Sequence, residues 1–283
     1  MLSLRSVVET GHPRLGTTVC DPSESIIISG NSGSDFIFYD AGRGFNNELA
    51  IQFPSVTTNI TKNTFAGSSI NWRWDQNTLA RSGVSDYSAL IITADSTSAN
   101  LGANSLAAVV KSYSDLWVDH YWQNANGGNG AGKVWFLGTQ PRTDRVDYIG
   151  NCLYRHELWS VVQDQSNLKR PSNCPRVQII PVYFAFQKIH ADQQNGITPS
   201  ATFFNDLYSD PFHLHSTGRY IHLVMHMACL FGIDPRNVTP VPHHIDDNSV
   251  PMTLTESEYI RNVCYDVMHW TERHGVDVTA WDN

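Results

Sequence analysis

Apolar residues along this chain fall into two kinds of run that alternate. Short, nearly continuous runs cover Ser25–Ser29 (Ser-Ile-Ile-Ile-Ser), Ser88–Ala94, Lys133–Leu137 and Val177–Val182. Residues that are apolar at successive positions predict strands buried on both faces, the habit of a parallel sheet. Between them the spacing changes to 3.6. From Asn104 the apolar positions are Leu106, Val109, Val110, Tyr113, Trp117 and Tyr121, and a weaker stripe covers Tyr148–Val162. Thr217–Phe231 carries Tyr220, Leu223, Val224, Met227, Leu230 and Phe231 on one face, with Gly232 as a stop. A last helix opens on the capping-box pattern Thr255-Glu256-Ser257-Glu258 and turns Ile260, Val263, Cys264, Val267 and Trp270 inward.

Strands alternating with helices predict a three-layer α/β/α sandwich around a central parallel sheet. The expected organisation is an extension over residues 1–24, the α/β domain over 25–232, and an arm and helix over 233–283 packed on the domain. Neither a repeat nor a linker divides the chain.

Composition narrows the function without choosing it. With 283 residues, 41% hydrophobic and 16% charged, a sizeable core is expected. A formal net charge of -8 and the lack of a basic run argue against nucleic acid or an anionic membrane surface as partner. No secretory h-region opens the chain and no segment offers eighteen uninterrupted apolar residues, so a soluble protein without membrane insertion is expected, with an oligomer or larger assembly left open. The five cysteines, Cys20, Cys152, Cys174, Cys229 and Cys264, read as mostly free thiols, with a Cys152–Cys174 bridge left open.

Sites in open α/β sheets form at the carboxyl ends of strands. The first strand delivers Ser29-Gly30-Asn31-Ser32-Gly33-Ser34-Asp35 there. Small residues let a serine hydroxyl stand clear beside backbone N–H groups, as a nucleophile with an oxyanion site requires; an ordinary strand-to-helix turn has the same composition. In Asp210-Pro211-Phe212-His213-Leu214 the histidine follows the aspartate by three residues, close enough for a local turn to join them. His222 and His226 have a chelating i,i+4 spacing, yet they lie opposite the apolar stripe and no Glu follows His222. His243-His244-Ile245-Asp246-Asp247 adds no defined partner, so neither a metal nor another cofactor is expected.

Taken in order, these segments resemble the SGNH (GDSL-like) hydrolase family over about Ser25 to Gly232. Ser32 matches the family's nucleophile, and Asp210 and His213, ahead of Gly218-Arg219-Tyr220, match its acid and base. The first block departs from the family: Asn31 stands for the usual aspartate and Gly33 for the usual leucine. Gly67, in Phe65-Ala66-Gly67-Ser68-Ser69, stands for the glycine whose N–H joins the oxyanion site. In the third block, Thr93-Ala94-Asp95-Ser96-Thr97 lacks the family's asparagine, a donor that Asn71 or Asn100 would have to replace.

The resemblance implies an SGNH/flavodoxin-like fold and serine ester hydrolysis through an acyl-enzyme, with Gly33 and Gly67 as oxyanion donors. A small acyl ester is the expected substrate, for instance acetyl on a carbohydrate. Trp72, Arg73 and Trp74 are the candidate substrate contacts; alternatively one tryptophan anchors the core, the other covers a loop, and Arg73 forms a surface salt bridge. A non-catalytic module on the same scaffold, or an acyltransferase, is the alternative.

Overall fold

The computed structural model describes residues 19–37, 45–57, 59–93, 103–240 and 252–282. Five strands, β1 (Ser25–Gly30), β2 (Asn59–Thr64), β3 (Ala89–Thr93), β4 (Lys133–Leu137) and β5 (Gln178–Ile180), form one parallel sheet in the order β2-β1-β3-β4-β5. The apolar runs make its centre: Ile27 lies opposite Leu90, which lies opposite Val134, and all three are buried. Each such side chain taken out of water contributes roughly 1.5–3 kcal/mol. The edge strand β2, Asn-Ile-Thr-Lys-Asn-Thr, was not legible as a strand; half-exposed at the sheet edge, it needs no apolar run.

Helices α1 (Phe45–Gln52), α2 (Ile70–Asp75), α3 (Leu79–Ser82), α4 (Ala103–Gly128), α5 (Tyr148–Leu168), α6 (Val182–Gln194), α7 (Ser216–Phe231) and α8 (Leu254–Trp270) cover the sheet. α4 packs on α2 and α5, and Trp159 of α5 stacks on Phe136 of β4 at 4.7 Å. α6, α7 and α8 pack on one another, with α1 joined to α7 through Phe45 and Phe231. Ile260, Val263, Cys264 and Val267 of α8 belong to the same core as the sheet. The helix opens two residues earlier than the sequence pattern suggests. Thr253, not Thr255, is the N-cap, exchanging hydrogen bonds with Glu256 in a complete capping box.

Three expectations change. His222 and His226 do not face away from the core: both are fully buried, because α7 is covered on every side. No Cys152–Cys174 bridge forms; all five cysteines are free and buried. The strand expected over Val177–Val182 ends at Ile180, and Val182 begins α6. Among the described residues no helix is long and apolar enough to cross a membrane. The extension before Val19, most of the arm over 234–251, Asn100, the third-block residues after Thr93 and the His243–Asp247 cluster lie outside the described residues.

Candidate active site

The sheet order places a topological switch point between β1 and β3: the chain leaves β1 to one side for β2 and returns to the other side for β3. Crevices at such points, outside the carboxyl ends of the strands, are where open α/β sheets bind ligands. Ser32 stands there, at the start of a 3-10 turn over Ser32–Ile37. Asn31 shapes that turn. Its carbonyl accepts from Ser34 N–H at 3.0 Å and Ser34 Oγ at 2.7 Å, and its side-chain oxygen accepts from Gly33 N–H at 2.9 Å. Gly30 is required because a Cβ there would come within 1.8 Å of Ser34 Oγ.

The second half of the site hangs on a short hairpin-like closure before α7. Tyr208 and Leu214 form an antiparallel bridge, Ser209 N–H donates to His213 C=O and His215 N–H donates to Leu207 C=O. Within it Asp210 Oδ1 accepts from the N–H groups of Phe212 at 2.7 Å and His213 at 2.8 Å. Oδ2 lies 2.6 Å from His213 Nδ1. With Nδ1–H donating to the carboxylate, Nε2 is left as the basic nitrogen. Burial opposes the charge on Asp210, but the bonds from the His213 N–H, the His213 ring and the Phe212 N–H outweigh it and bring its pKa down to about 2. Both side chains are about half exposed, 49% for His213 and 48% for Asp210, so the pair faces solvent from the protein rim.

The two halves abut through Phe212. A Cβ placed on Gly33 would lie 3.3 Å from Phe212 Cζ and 3.6 Å from Thr139 Cγ2, so the Ser32 turn, the end of β4 and the Asp210–His213 loop are neighbours. Asp210 and His213 are thus joined to each other, with the Ser32 turn approached through Phe212 between them, and no hydrogen bond joins Ser32 Oγ to His213. Unliganded sites often hold such a bond long and tighten it around substrate.

A polar relay supports the loop from behind. Gln140, fully buried, donates to Phe212 C=O at 3.2 Å, and its side-chain oxygen lies 2.8 Å from His222 Nε2. His226 Nδ1 in turn lies 2.7 Å from His222 C=O. Burial, joined for His222 by the neighbouring His226, pushes His222 well below the usual histidine range, and burial holds His226 at about 4. Both are neutral hydrogen-bonding groups. Sequence spacing could not reveal this relay, since Gln140 and His222 are 82 residues apart.

The expected substrate contacts separate. Arg73 is fully buried, so it is neither a surface ion pair nor a group in reach of a ligand. Its guanidinium donates to Ser68 C=O at 2.9 Å, to Ser68 Oγ at 3.0 Å and to Thr93 C=O. Ser68 Oγ also lies 3.3 Å from Gly30 C=O, so Arg73 pins together the chain beyond β1, β2 and β3. Trp74 packs edge-on against Trp117 and anchors α2 to the core. Trp72 is 41% exposed and leans on Phe65, also exposed, at 5.4 Å. Gly67 lies between them in sequence in a left-handed turn, φ +69°, that favours glycine. Gly33 N–H, the other expected oxyanion donor, is the one held by Asn31.

The fold and the half-exposed Asp–His pair define an α/β protein built on a flavodoxin-like parallel sheet. No protein-family model and no curated protein matches the chain. Among solved structures it is similar to a DUF4886 family protein from Bacteroides uniformis, at 12% identity and TM-score 0.55, covering 91% of this chain and 98% of that one. It is also similar to LAE5, an α/β hydrolase enzyme from the metagenome of Lake Arreo, at 14% identity and TM-score 0.51, covering 74% and 95%. The acetyl xylan esterase AlAXEase matches at 10% identity and TM-score 0.48, covering 73% and 100%, a score too low to establish a common fold. The first two likenesses are of fold.

Proposed function

We propose that the chain is a serine ester hydrolase with Ser32 as nucleophile, His213 as general base and acid, and Asp210 as the group that orients His213. The observation that carries this is the Asp210–His213 pair, joined at 2.6 Å and set against the Ser32 turn at the switch point of the sheet. Ser32 Oγ attacks the ester carbonyl while its proton passes to His213 Nε2. Asp210 keeps Nδ1–H in place and stabilises the imidazolium. Collapse of the tetrahedral intermediate breaks the bond to the alcohol, which leaves with the proton from His213. Water, deprotonated by His213, then attacks the acyl-Ser32 ester and releases the acid.

The backbone N–H groups of Gly33 and Gly67 are the proposed oxyanion donors. Gly33 must exchange its bond to Asn31 Oδ1 for one to the oxyanion, which favours slow turnover. Small acyl esters of a carbohydrate, O-acetyl groups above all, are the proposed substrates. The exposed Trp72–Phe65 pair beside Gly67 supports a flat, partly apolar ring.

A fluorophosphonate probe tests the nucleophile. Native protein is expected to be labelled at Ser32, and Ser32→Ala and His213→Ala are expected to abolish labelling. Acetate release from acetylated sugars tests the substrate class; activity confined to long-chain lipid esters would sink it. A second reading, a binding module that has lost catalysis, draws on the occupied Gly33 N–H and on the lack of a hydrogen bond from Ser32 Oγ to His213 among the described residues. A folded native protein that resists the probe would establish it over the first.

A further inference from the structure

The end of β4 carries a cation that the triad chemistry does not use. Arg155, half-buried in the second turn of α5, directs Nη1 to Thr139 Oγ1 at 3.3 Å. Thr139 is the residue whose methyl group approaches Gly33. The guanidinium therefore lies one side chain, Thr139, away from the Ser32 turn. No carboxylate among the described residues pairs with it. Its neighbours are Cys152, Tyr148 and Tyr208, all neutral at pH 7 because burial raises each of them. The two phenols bond to each other at 2.6 Å, and Tyr208 donates on to Pro141 C=O.

A second cation adds to the field. Arg145, exposed in the loop between β4 and α5, is near enough to act on Arg155 as a like charge. Asp144, whose two oxygens Arg142 Nε and Nη2 hold at 3.0 and 2.7 Å, also feels the charge of Arg145, so Arg155 is the cation left without an acid among the described residues. The loop itself is tied to the Asp210–His213 hairpin through Thr143 N–H and Pro211 C=O at 2.9 Å. A half-buried guanidinium with no carboxylate partner among the described residues is costly in a protein unless an anion arrives to pair with it.

We propose that Arg155 binds an anionic group of the substrate, so that the ester cleaved at Ser32 is carried by an acidic sugar. A carboxylate suits the planar fork of a guanidinium, which can give it two parallel N–H bonds. The proposal rests on the ester-hydrolase reading of the same site and narrows its substrate from carbohydrate esters to those of uronic or similarly acidic sugars.

The test compares mono-O-acetylated methyl glucuronoside with the matching methyl glucoside, which differ only in the carboxylate. Native protein is expected to favour the glucuronoside in kcat/KM by about tenfold or more, the scale of a charge-assisted pair. Arg155→Gln is expected to bring that ratio close to one, and Arg155→Lys to leave it in between. A native ratio of one, or a ratio that Arg155→Gln leaves unchanged, overturns the proposal. A sulfated glucoside ester preferred over the glucuronoside would overturn the choice of carboxylate. Should Arg155→Gln fail to melt cooperatively, Arg155→Lys carries the comparison, and an unchanged ratio there has the same force. If the probe leaves Ser32 unlabelled and neither ester is hydrolysed, the hydrolase reading has failed by itself. Calorimetric binding of methyl glucuronoside to native protein and its loss in Arg155→Gln would then support the anion site, and equal or absent binding would overturn it.

Discussion

Gln140→Met isolates the relay behind the Asp210–His213 hairpin. Methionine has nearly the same length and volume, so packing is kept, while both hydrogen bonds of the buried amide are lost. The bond to Phe212 C=O and the bond to His222 Nε2 each leave a buried partner behind, at about 1–3 kcal/mol apiece. A total of about 2–6 kcal/mol is expected, which for a chain of this size lowers Tm by roughly 4–24 °C. Urea denaturation followed by tryptophan fluorescence reads the stability, with the slope unchanged if the effect is local. Fluorophosphonate labelling at a temperature where the variant is folded reads the consequence for the site, and slower labelling of Ser32 is expected as the Asp210–His213 loop loses its tether. Because Gln140 and His222 share one bond, Gln140→Met and His222→Phe should be non-additive by about 1 kcal/mol. Strictly additive costs, or a loss under about 0.5 kcal/mol, would refute the relay.

Arg73→Met strips Ser68 and Thr93 of their buried donor and should cost about 3 kcal/mol or more in the same denaturation assay; Arg73→Lys should recover little, since one ammonium cannot span both loops. Trp72→Ala should change stability by under about 0.5 kcal/mol, being surface-exposed, yet raise KM for an acetylated sugar several-fold. An unchanged KM would remove Trp72 from the substrate platform. His226 and His274 are held at about 4 by burial, so they stay neutral in the folded state while the unfolded chain takes up protons below pH 6.5. Stability is therefore full above pH 6.5 and falls as pH drops toward 4, by about 1.4 kcal/mol per pH unit for each such histidine. His274→Gln should flatten the slope of stability against pH by about one proton, and an unchanged slope would contradict this.

What the sequence discloses follows the range of the forces involved. β1, β3 and β4 are legible because strands buried on both faces must be apolar throughout. The Asp210–His213 contact is legible because three residues of chain suffice to close it. β2 is not, since an edge strand answers to backbone pairing, which leaves no mark on side-chain type. The apolar stripe of α7 is visible, but its two histidines look solvent-facing by periodicity; they are buried because α1 and Gln140 close over that side as well. Arg73 looks like a surface cation in a one-dimensional reading. Only the strand order, which brings the chain after β2 under the end of β3, gives it its role.

The free cysteines make the molecule a clock for its own opening. Burial pushes every one of the thiols up, Cys152 to about 12, so almost no reactive thiolate exists while the surroundings stay closed. They are spread across separate parts of the architecture. Cys20 hangs its N–H on Leu230 C=O at the end of α7, Cys152 sits in α5, Cys174 precedes β5, Cys229 lies in α7 and Cys264 in α8. A thiol reagent applied under native conditions will therefore stamp each cysteine at the moment its layer separates. Mass spectrometry of the sequence of stamps reads the order in which the helices leave the sheet.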